Sequence, residues 1–430
     1  MTDQSMARTG NRRPRIGVVG SGVAGLTSAW LLQDIADVEI FESNHYLGGH
    51  TRTVEVPGKN GDSTPIDMGF IVMNHRNYPT LTRLFKKLNI ALGDSDMSFS
   101  YHCKRSGYAY SGSGLRGLFA NPRNLFNAQH WGMLKDVLRF NKDAERALQS
   151  GRAETCSLGQ FIDEGNYGRA FQERYLLPMG AAIWSTPVEE MRTFPAASFF
   201  RFFHNHGLLG TRSRPQWKYV IGGSQTYVRA MQDSFKGALH LNRGVTEITR
   251  HPENVTLSLA DGSRETVDYV VIASHADQAL KMLGDASQAE QRLLSPWRYQ
   301  DNSVVLHTDA SVMPDNKAAW TSWNAASYGD DAKHPIALSY HMNRLQALGE
   351  HQNYFVSLNM DDHIDATTIL HRETFSHPTY TFSSTATQAD LPSLNDVNRT
   401  FFCGSYFGYG FHEDAVRSAA DVAEHFEITL

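Results

Sequence analysis

The segment that most constrains this chain is Gly20-Ser21-Gly22-Val23-Ala24-Gly25. It follows a short β-branched run, Ile16–Val19, and leads into Leu26–Asp34, which reads as a helix. Val38–Glu42 then reads as a second strand. Strand, glycine turn, helix and strand in this order predict a Rossmann-like nucleotide-binding unit. Gly20 permits the tight turn, Gly22 lets backbone approach a pyrophosphate, and Gly25 lets the helix pack on the strand. The helix start adds partial positive charge for the phosphates. Glu42, 22 residues after Gly20, can accept hydrogen bonds from ribose hydroxyls and would repel a 2′-phosphate.

A second match, Gly112-Ser113-Gly114-Leu115-Arg116-Gly117, lacks that context in the sequence. No apolar strand reads ahead of it, Pro122 interrupts the residues after it, and no acidic strand end comes about 20 residues later. A single nucleotide site is expected. After Glu42 the chain leaves the βαβ pattern. Pro79 with Leu81, Leu84, Phe85 and Leu88, a capping box at Ser157–Gln160, and a helix from Pro195 to His206 make residues 76–214 mainly helix and loop. Strand character returns near residue 239. An NAD dehydrogenase would continue its βαβ units, so this organisation favours FAD. The expected fold class is α/β. A discontinuous FAD-binding domain spans 15–75, 215–285 and 395–430, and an inserted mixed α+β substrate domain spans 76–214 and 286–394.

Further residues carry a family resemblance. They are Glu42, then Tyr46-Leu-Gly48-Gly49-His50-Thr51-Arg52-Thr53, then Asp67-Met-Gly69-Phe70, then Gly222-Gly223-Ser224 and Leu241–Val245. The closing stretch Phe402-Cys403-Gly404-Ser405-Tyr406 with Gly410–Ala415 completes the set. The chain resembles the FAD-dependent amine oxidase superfamily, which includes monoamine and polyamine oxidases, protoporphyrinogen oxidase and phytoene desaturase. Within it the chain is most similar to a bacterial subgroup of oxidoreductases associated with fatty-acyl or cyclopropane-lipid modification. The resemblance implies a FAD domain of the glutathione-reductase-like type. It places Gly48, Gly49 and His50 along the pyrophosphate and flavin, and Gly69 and Phe70 against the isoalloxazine. Val245 offers its backbone to adenine, and Gly404 and Ser405 sit near the ribityl chain. The helix after Phe411 points its start at the flavin N1/O2 edge, where a helix N-terminus stabilises negative charge.

The sequence departs from the family pattern in four places. His50 replaces an arginine, Ser405 replaces an acid, Phe411 replaces a tyrosine, and the stretch 302–309 has no lysine. These departures weaken the amine-oxidase reading more than the flavin reading. Pocket candidates are His307, Trp323 and Tyr409, with no catalytic base identified. Trp184 and Trp320 read equally well as pocket or core. Cys103, Cys156 and Cys403 are too few and scattered for a disulfide framework or an iron–sulfur site, and Cys403 reads as a small packed residue. His204 and His206, two apart on a helix, point apart, so no metal site is expected.

The leader carries Arg8, Arg12, Arg13 and Arg15 without an apolar core, and no run is long enough for a transmembrane helix, so a cytoplasmic location is expected. Charge is unevenly spread. The net charge is −5, which argues against nucleic acid as a partner. Residues 97–135 contain no Asp or Glu but hold Lys104, Arg105, Arg116, Arg123 and Lys135. Residues 191–232 also lack acids and hold Arg192, Arg201, Arg212, Arg214, Lys218 and Arg229. Both windows are rich in aromatics. Most of these read as core, with Phe199, Phe202, Phe203 and His206 on one helix face. Bases beside exposed aromatics suit an anionic membrane, on its inner face in a cell.

The expected function is a FAD-dependent oxidoreductase, a desaturase or oxidase. It would take a hydride from an apolar or anionic-lipid, fatty-acyl-like substrate and pass electrons to oxygen or another acceptor. The alternatives are an amine oxidase acting on a small amine or polyamine, and a non-catalytic lipid-binding protein of the same fold.

Overall fold

The computed structural model describes residues 12–58, 61–210, 215–329, 337–349 and 351–430. Arg8, Arg212 and Arg214 lie outside the described residues. The chain divides into two compact units. One comprises the residues up to Gly49, Val228–Ser295 and Thr387–Leu430; the other comprises His50–Tyr227 and Pro296–Ala386.

The first unit is built on a parallel sheet of five strands. Their order is Ala238–His240, Asp37–Phe41, Arg15–Val19, Tyr269–Ile272 and Thr400–Phe402. Val18 at the centre pairs with Ile40 on one side and Val271 on the other. Parallel strands are covered on both faces and therefore read as continuous apolar runs, as these do. The helix Val23–Leu32 begins directly after Gly22, earlier than its apolar periodicity suggests. Nine of its ten residues are buried, so it carries almost no polar face. It packs against the last helix, His412–Glu424. An antiparallel meander, Val245–Arg250, Val255–Leu259 and Arg264–Val267, belongs to the same unit.

The second unit contains a mixed seven-stranded sheet. Its order is Ile369–Thr379, Arg298–His307, Phe355–Leu358, Ala337–His341, Trp323–Ser327, Phe99–Cys103 and Tyr108–Ser111. Only the pairing of Trp323–Ser327 with Phe99–Cys103 is parallel. Residues 50–75 and 215–227, which the sequence assigns to the FAD domain, cluster with this unit instead. Thr53–Pro57 and Ser63–Asp67 pair as a ribbon there, and Trp217–Val220 pairs with both Val72–Met73 and Leu92–Ser95.

The helical stretch is packed around aromatic rings. Phe140 meets Phe161, Tyr167, Phe171 and Phe200, while Trp184 meets Phe194, Phe199 and Phe202. The capping box at Ser157 and Gln160 forms as expected. None of the aromatic residues from Phe194 to Tyr227 is exposed, which corrects any reading of the helix Ala196–Asn205 as an aromatic membrane face. Its neighbouring bases meet acids from distant sequence: Arg192 pairs with Asp163, Arg201 with Glu154 and Lys218 with Asp94.

In the first unit, Arg250 and Glu290 form an ion pair with both side chains only 3% exposed, and Asp285 braces the same guanidinium at 2.9 Å. Removing one partner of a buried pair strands the other charge, at a cost of about 3–5 kcal/mol. Because Asp285 remains, Glu290→Gln is expected to lose about 3 kcal/mol in urea unfolding, at the lower end of that range. A loss under about 0.5 kcal/mol, the range of ordinary surface substitutions, would show that Asp285 alone satisfies Arg250.

Candidate functional site

The glycine turn has the geometry that its spacing predicts. Gly20 lies at φ 97° and its N–H donates to the Phe41 carbonyl at 2.9 Å, which locks the turn to the neighbouring strand. A side chain at Gly25 would place its Cβ 2.0 Å from the Gly20 carbonyl oxygen. At Gly22 the same test finds nothing within 4 Å. The backbone there opens onto free space at the start of a ten-residue helix with no side-chain cap and no acid in its first turn. Uncapped N–H groups and an approachable backbone form a cradle for phosphate oxygens. Ser21 and Ala24 are buried within the turn. The Gly48 N–H donates to the Ser21 carbonyl at 2.9 Å, and Gly49 comes within 3.2 Å of the Gly22 Cα by its absent Cβ. Five of the sequence candidates are thus drawn together: Gly20, Ser21, Gly22, Gly48 and Gly49.

Glu42 stands just beyond its strand with its carboxylate held from both sides. One oxygen accepts from the Ser21 N–H at 2.8 Å and Ser21 Oγ at 2.6 Å. The other accepts from the Asn44 N–H at 2.8 Å, Asn44 Nδ2 at 2.9 Å and Ser43 Oγ at 3.2 Å. The backbone beyond is laced to residues 240–243: Glu42 N–H to His240, Arg243 N–H to Glu42, and Asn242 N–H to Asn44. This lacing brings the strand that begins at Val245 beside Glu42. Sequence motifs do not mark Ser43 or Asn44, and the Leu241–Val245 motif does not show that this segment is tied to Glu42 and Asn44 through main-chain contacts.

At the same carboxyl end of the parallel sheet, Gly404 and Ser405 follow the strand Thr400–Phe402, and the Gly404 N–H donates to Ser418 Oγ at 2.9 Å. Cys403 is fully buried, and burial pushes its thiol up to about 12, so it is the inert packed residue that the sequence suggests. The last helix starts at Phe411, but Asp414 in its first turn accepts the N–H groups of Tyr409 and Phe411 at 2.9 and 3.1 Å. Burial raises the Asp414 carboxyl to about 6. This acid, with Glu413 beside it, offsets part of the positive helix end.

In the second unit, His50, Gly69 and Phe70 form one cluster. The Phe70 N–H donates to the His50 carbonyl at 3.0 Å, and a Cβ on Gly69 would lie 2.0 Å from that same oxygen. The His50 ring stacks on Phe375 at 4.9 Å and meets His377 edge-on at 5.2 Å. Burial lowers His377 to about 3, so it is neutral. Nearby in sequence, Asp67 is fully buried and gathers Thr53 Oγ1, the Ser224 N–H and Ser224 Oγ within 2.6–2.8 Å. Gln346 Nε2 reaches its other oxygen at 3.2 Å. Burial outweighs these donors and raises Asp67 to about 7. The sequence shows Asp67 as part of a signature; its role as the clamp on the Gly222–Ser224 loop is visible only in the fold.

The pocket candidates are dispersed. His307 is fully buried, bonds Ser357 Oγ at 2.8 Å and is lowered to about 4 by burial, which makes it a neutral core residue. Trp323 packs against Tyr340 on the opposite face of the seven-stranded sheet. Its Nε1 is buried with no hydrogen-bond partner among the described residues. Tyr409 is held by its backbone to Asp414. His204 is exposed, whereas His206 is buried against Phe202 and Trp217. The second glycine motif needs one correction: a buried strand, Tyr108–Ser111, does precede it. Its aromatic and small residues hide the strand from an apolar-run reading. The helix after it, Gly114–Leu118, has five residues, with Gly117 packed on Ser111.

Comparison with known proteins places this geometry in context. A family model described as flavin containing amine oxidoreductase matches residues 23–336. An L-amino-acid oxidase of Mus musculus is 25% identical over 266 residues, covering 57% of this chain and 38% of that protein. The match therefore spans well under half of that relative's length. Among solved structures, a CLA-producing fatty acid isomerase from P. acnes superposes with a TM-score of 0.68 at 15% identity, over 96% of this chain and 99% of that one. A putrescine oxidase bound to putrescine gives a TM-score of 0.69 at 14% identity, over 96% and 99%. At these identities the structures share the fold.

The geometry has two measurable consequences. Gly25→Ala forces helix and turn apart and is expected to cost about 1–3 kcal/mol together with cofactor retention, read by thermal unfolding and bound-flavin absorbance. Asp67, raised from its ordinary value to about 7, binds more protons folded than unfolded between about pH 4 and 7. It therefore makes stability fall as pH rises through that window. Asp67→Asn is expected to flatten that fall in the melting temperature; an unchanged slope would show that Asp67 stays ionised.

Proposed function

We propose that the chain, which belongs to the family of flavin containing amine oxidoreductases, is an FAD-dependent oxidoreductase that oxidises an apolar, fatty-acyl-like substrate at a C–H bond, with oxygen or another external acceptor taking the electrons. The flavin, when bound, supplies the hydride acceptor; the chain supplies binding, orientation and the exclusion of water.

The residues of the first unit fit a dinucleotide. The open backbone at Gly22 and the uncapped helix start suit the pyrophosphate, with Gly48 and Gly49 on its flank. Glu42 is oriented for a ribose. Its backbone donors are fixed, while Ser43 Oγ and Asn44 Nδ2 are the donors that two ribose hydroxyls can replace. By the family resemblance, Val245 would offer its backbone to adenine, and Gly404, Ser405 and the helix start after Phe411 would meet the ribityl chain and flavin edge. The family resemblance assigns His50, Gly69 and Phe70 to the flavin.

The observation that carries the apolar substrate is a shortage of carboxylate. Among the described residues of the second unit, Asp67 is the only buried acid. It is spent on Thr53, Ser224 and Gln346 and is raised to about 7. An amine drawn out of water needs a charged partner, and this unit offers none in its interior. The similarity in fold to a fatty acid isomerase supports the same reading. The family's amine-oxidising members and the putrescine oxidase fold favour a polyamine as the second reading.

Purified protein is expected to be yellow with near-stoichiometric FAD. Glu42→Gln is expected to weaken FAD binding at least about tenfold, as for loss of hydrogen bonds to a charged group; unchanged affinity would remove Glu42 from the site. Anaerobic mixing with fatty acids, phospholipids and polyamines separates the substrate readings. Bleaching by an acyl compound is the expected result, and bleaching by polyamines alone would establish the second reading.

A further inference from the structure

Five of the nine large apolar side chains exposed among the described residues lie between Leu115 and Leu138: Leu115 (76% exposed), Leu125 (48%), Phe126 (92%), Trp131 (50%) and Leu138 (58%). Contacts and helical spacing link several of them. The Trp131 indole donates to the Leu125 carbonyl at 3.0 Å, Asn124 ties its turn to Ala109, and Phe119 packs on Trp131 at 5.4 Å. The long helix Ala128–Gln149 buries His130, Met133, Phe140, Ala144 and Ala147 on one side. On the other side Trp131, Lys135, Leu138 and Lys142 recur at helical spacing and are exposed. A solvent face is ordinarily polar; this one alternates apolar anchors with lysines.

Up to residue 135 the charge around these anchors is basic; beyond it Asp136 is paired with Arg139, and the exposed Glu145 lies one turn past Lys142. No Asp or Glu occurs from 97 to 135, and exposed Arg116, Arg123 and Lys135 have no ion pair among the described residues. Elsewhere in the same window Lys104 pairs with Asp315, and in the 191–232 window Arg192, Arg201 and Lys218 are each paired with an acid.

We propose that this surface, from Leu115 through the Phe126 tip to Leu138, docks the protein on an anionic lipid bilayer. Phe126 and Leu125 enter the acyl boundary, Trp131 lies at headgroup level, and Arg116, Arg123 and Lys135 meet lipid phosphates. No helix among the described residues is long and apolar enough to cross a membrane, so contact is with the surface. A symmetric second copy is the poorer occupant, because a two-fold interface would set the same bases against each other. The proposal does not depend on the substrate, since a polyamine oxidase with this face would dock equally well.

The test is flotation of the FAD-loaded full chain with vesicles of phosphatidylglycerol mixed into phosphatidylcholine, against phosphatidylcholine alone. Binding is expected only to the anionic vesicles and is expected to fall with added salt. Each neutralised base near the surface is worth roughly a fivefold change in partition, so Arg116→Gln with Arg123→Gln should cost more than tenfold. Phe126→Ser with Leu125→Ser should lower binding at constant charge, and both pairs should keep the flavin spectrum and melting temperature. Equal binding to the two vesicle types, or binding indifferent to both pairs, would overturn the proposal. So would sedimentation of a self-associated form that Phe126→Ser disperses and that ignores vesicles.

Discussion

The close approach of Gly25 to the Gly20 carbonyl is the constraint on which the first unit rests. It sets the helix Val23–Leu32 hard against the central strand, so its start, with free N–H groups, faces the open space at Gly22. The Gly20 N–H bond to Phe41 then fixes the second strand against the turn, and Glu42 follows into place beside Ser21. The Glu42 carboxylate ties the turn to the strand end, and its backbone ties both to the 240–243 segment. A charged, hydrogen-bonded acceptor in a buried setting holds its partners more firmly than neutral groups would. The glycine turn and the strand order of this unit share the same contacts.

The second unit uses a buried acid differently. Asp67 collects donors from the ribbon at Thr53 and from the loop at Ser224, so that three stretches distant in sequence meet at one carboxyl. Burial with no cation beside it favours the protonated form, whereas donors favour the ionised one. The balance places this group near neutrality, unlike Glu290, whose buried neighbour is a guanidinium. The two buried acids thus differ in what surrounds them: Glu290 faces a cation, whereas Asp67 is met only by neutral donors.

Much of the first unit is legible in the sequence. Its parallel strands are covered on both faces, so GVV, VEIF and YVVI stand out as apolar runs, and the glycine spacing reports real steric contacts. The seven-stranded sheet is far less legible. Tyr108–Ser111 and Trp323–Ser327 are buried strands made of small, polar and aromatic residues. Asn324 satisfies buried polar groups of Ser100, Thr321 and Ser339 where an apolar residue would have signalled a core. The bases of the 191–232 window look unpaired in the sequence because their acids lie dozens of residues away. The exposed apolar stretch of 115–138 is hidden for the opposite reason: a buried phenylalanine and an exposed one are the same letter.

The order of strands in the first unit also says something about how such a protein is made. The central strand Arg15–Val19 pairs early in sequence with Asp37–Phe41, but its other neighbour, Tyr269–Ile272, is synthesised hundreds of residues later. The edge strand Thr400–Phe402 and the helix that covers Val23–Leu32 come later still. Pairings this distant close slowly. The nascent chain must therefore carry an unfinished nucleotide fold, with its apolar first helix uncovered, through most of translation. Flavin capture becomes a late event, and the ribosome-bound intermediate is the stage at which a chaperone, or the flavin itself, has the most to protect.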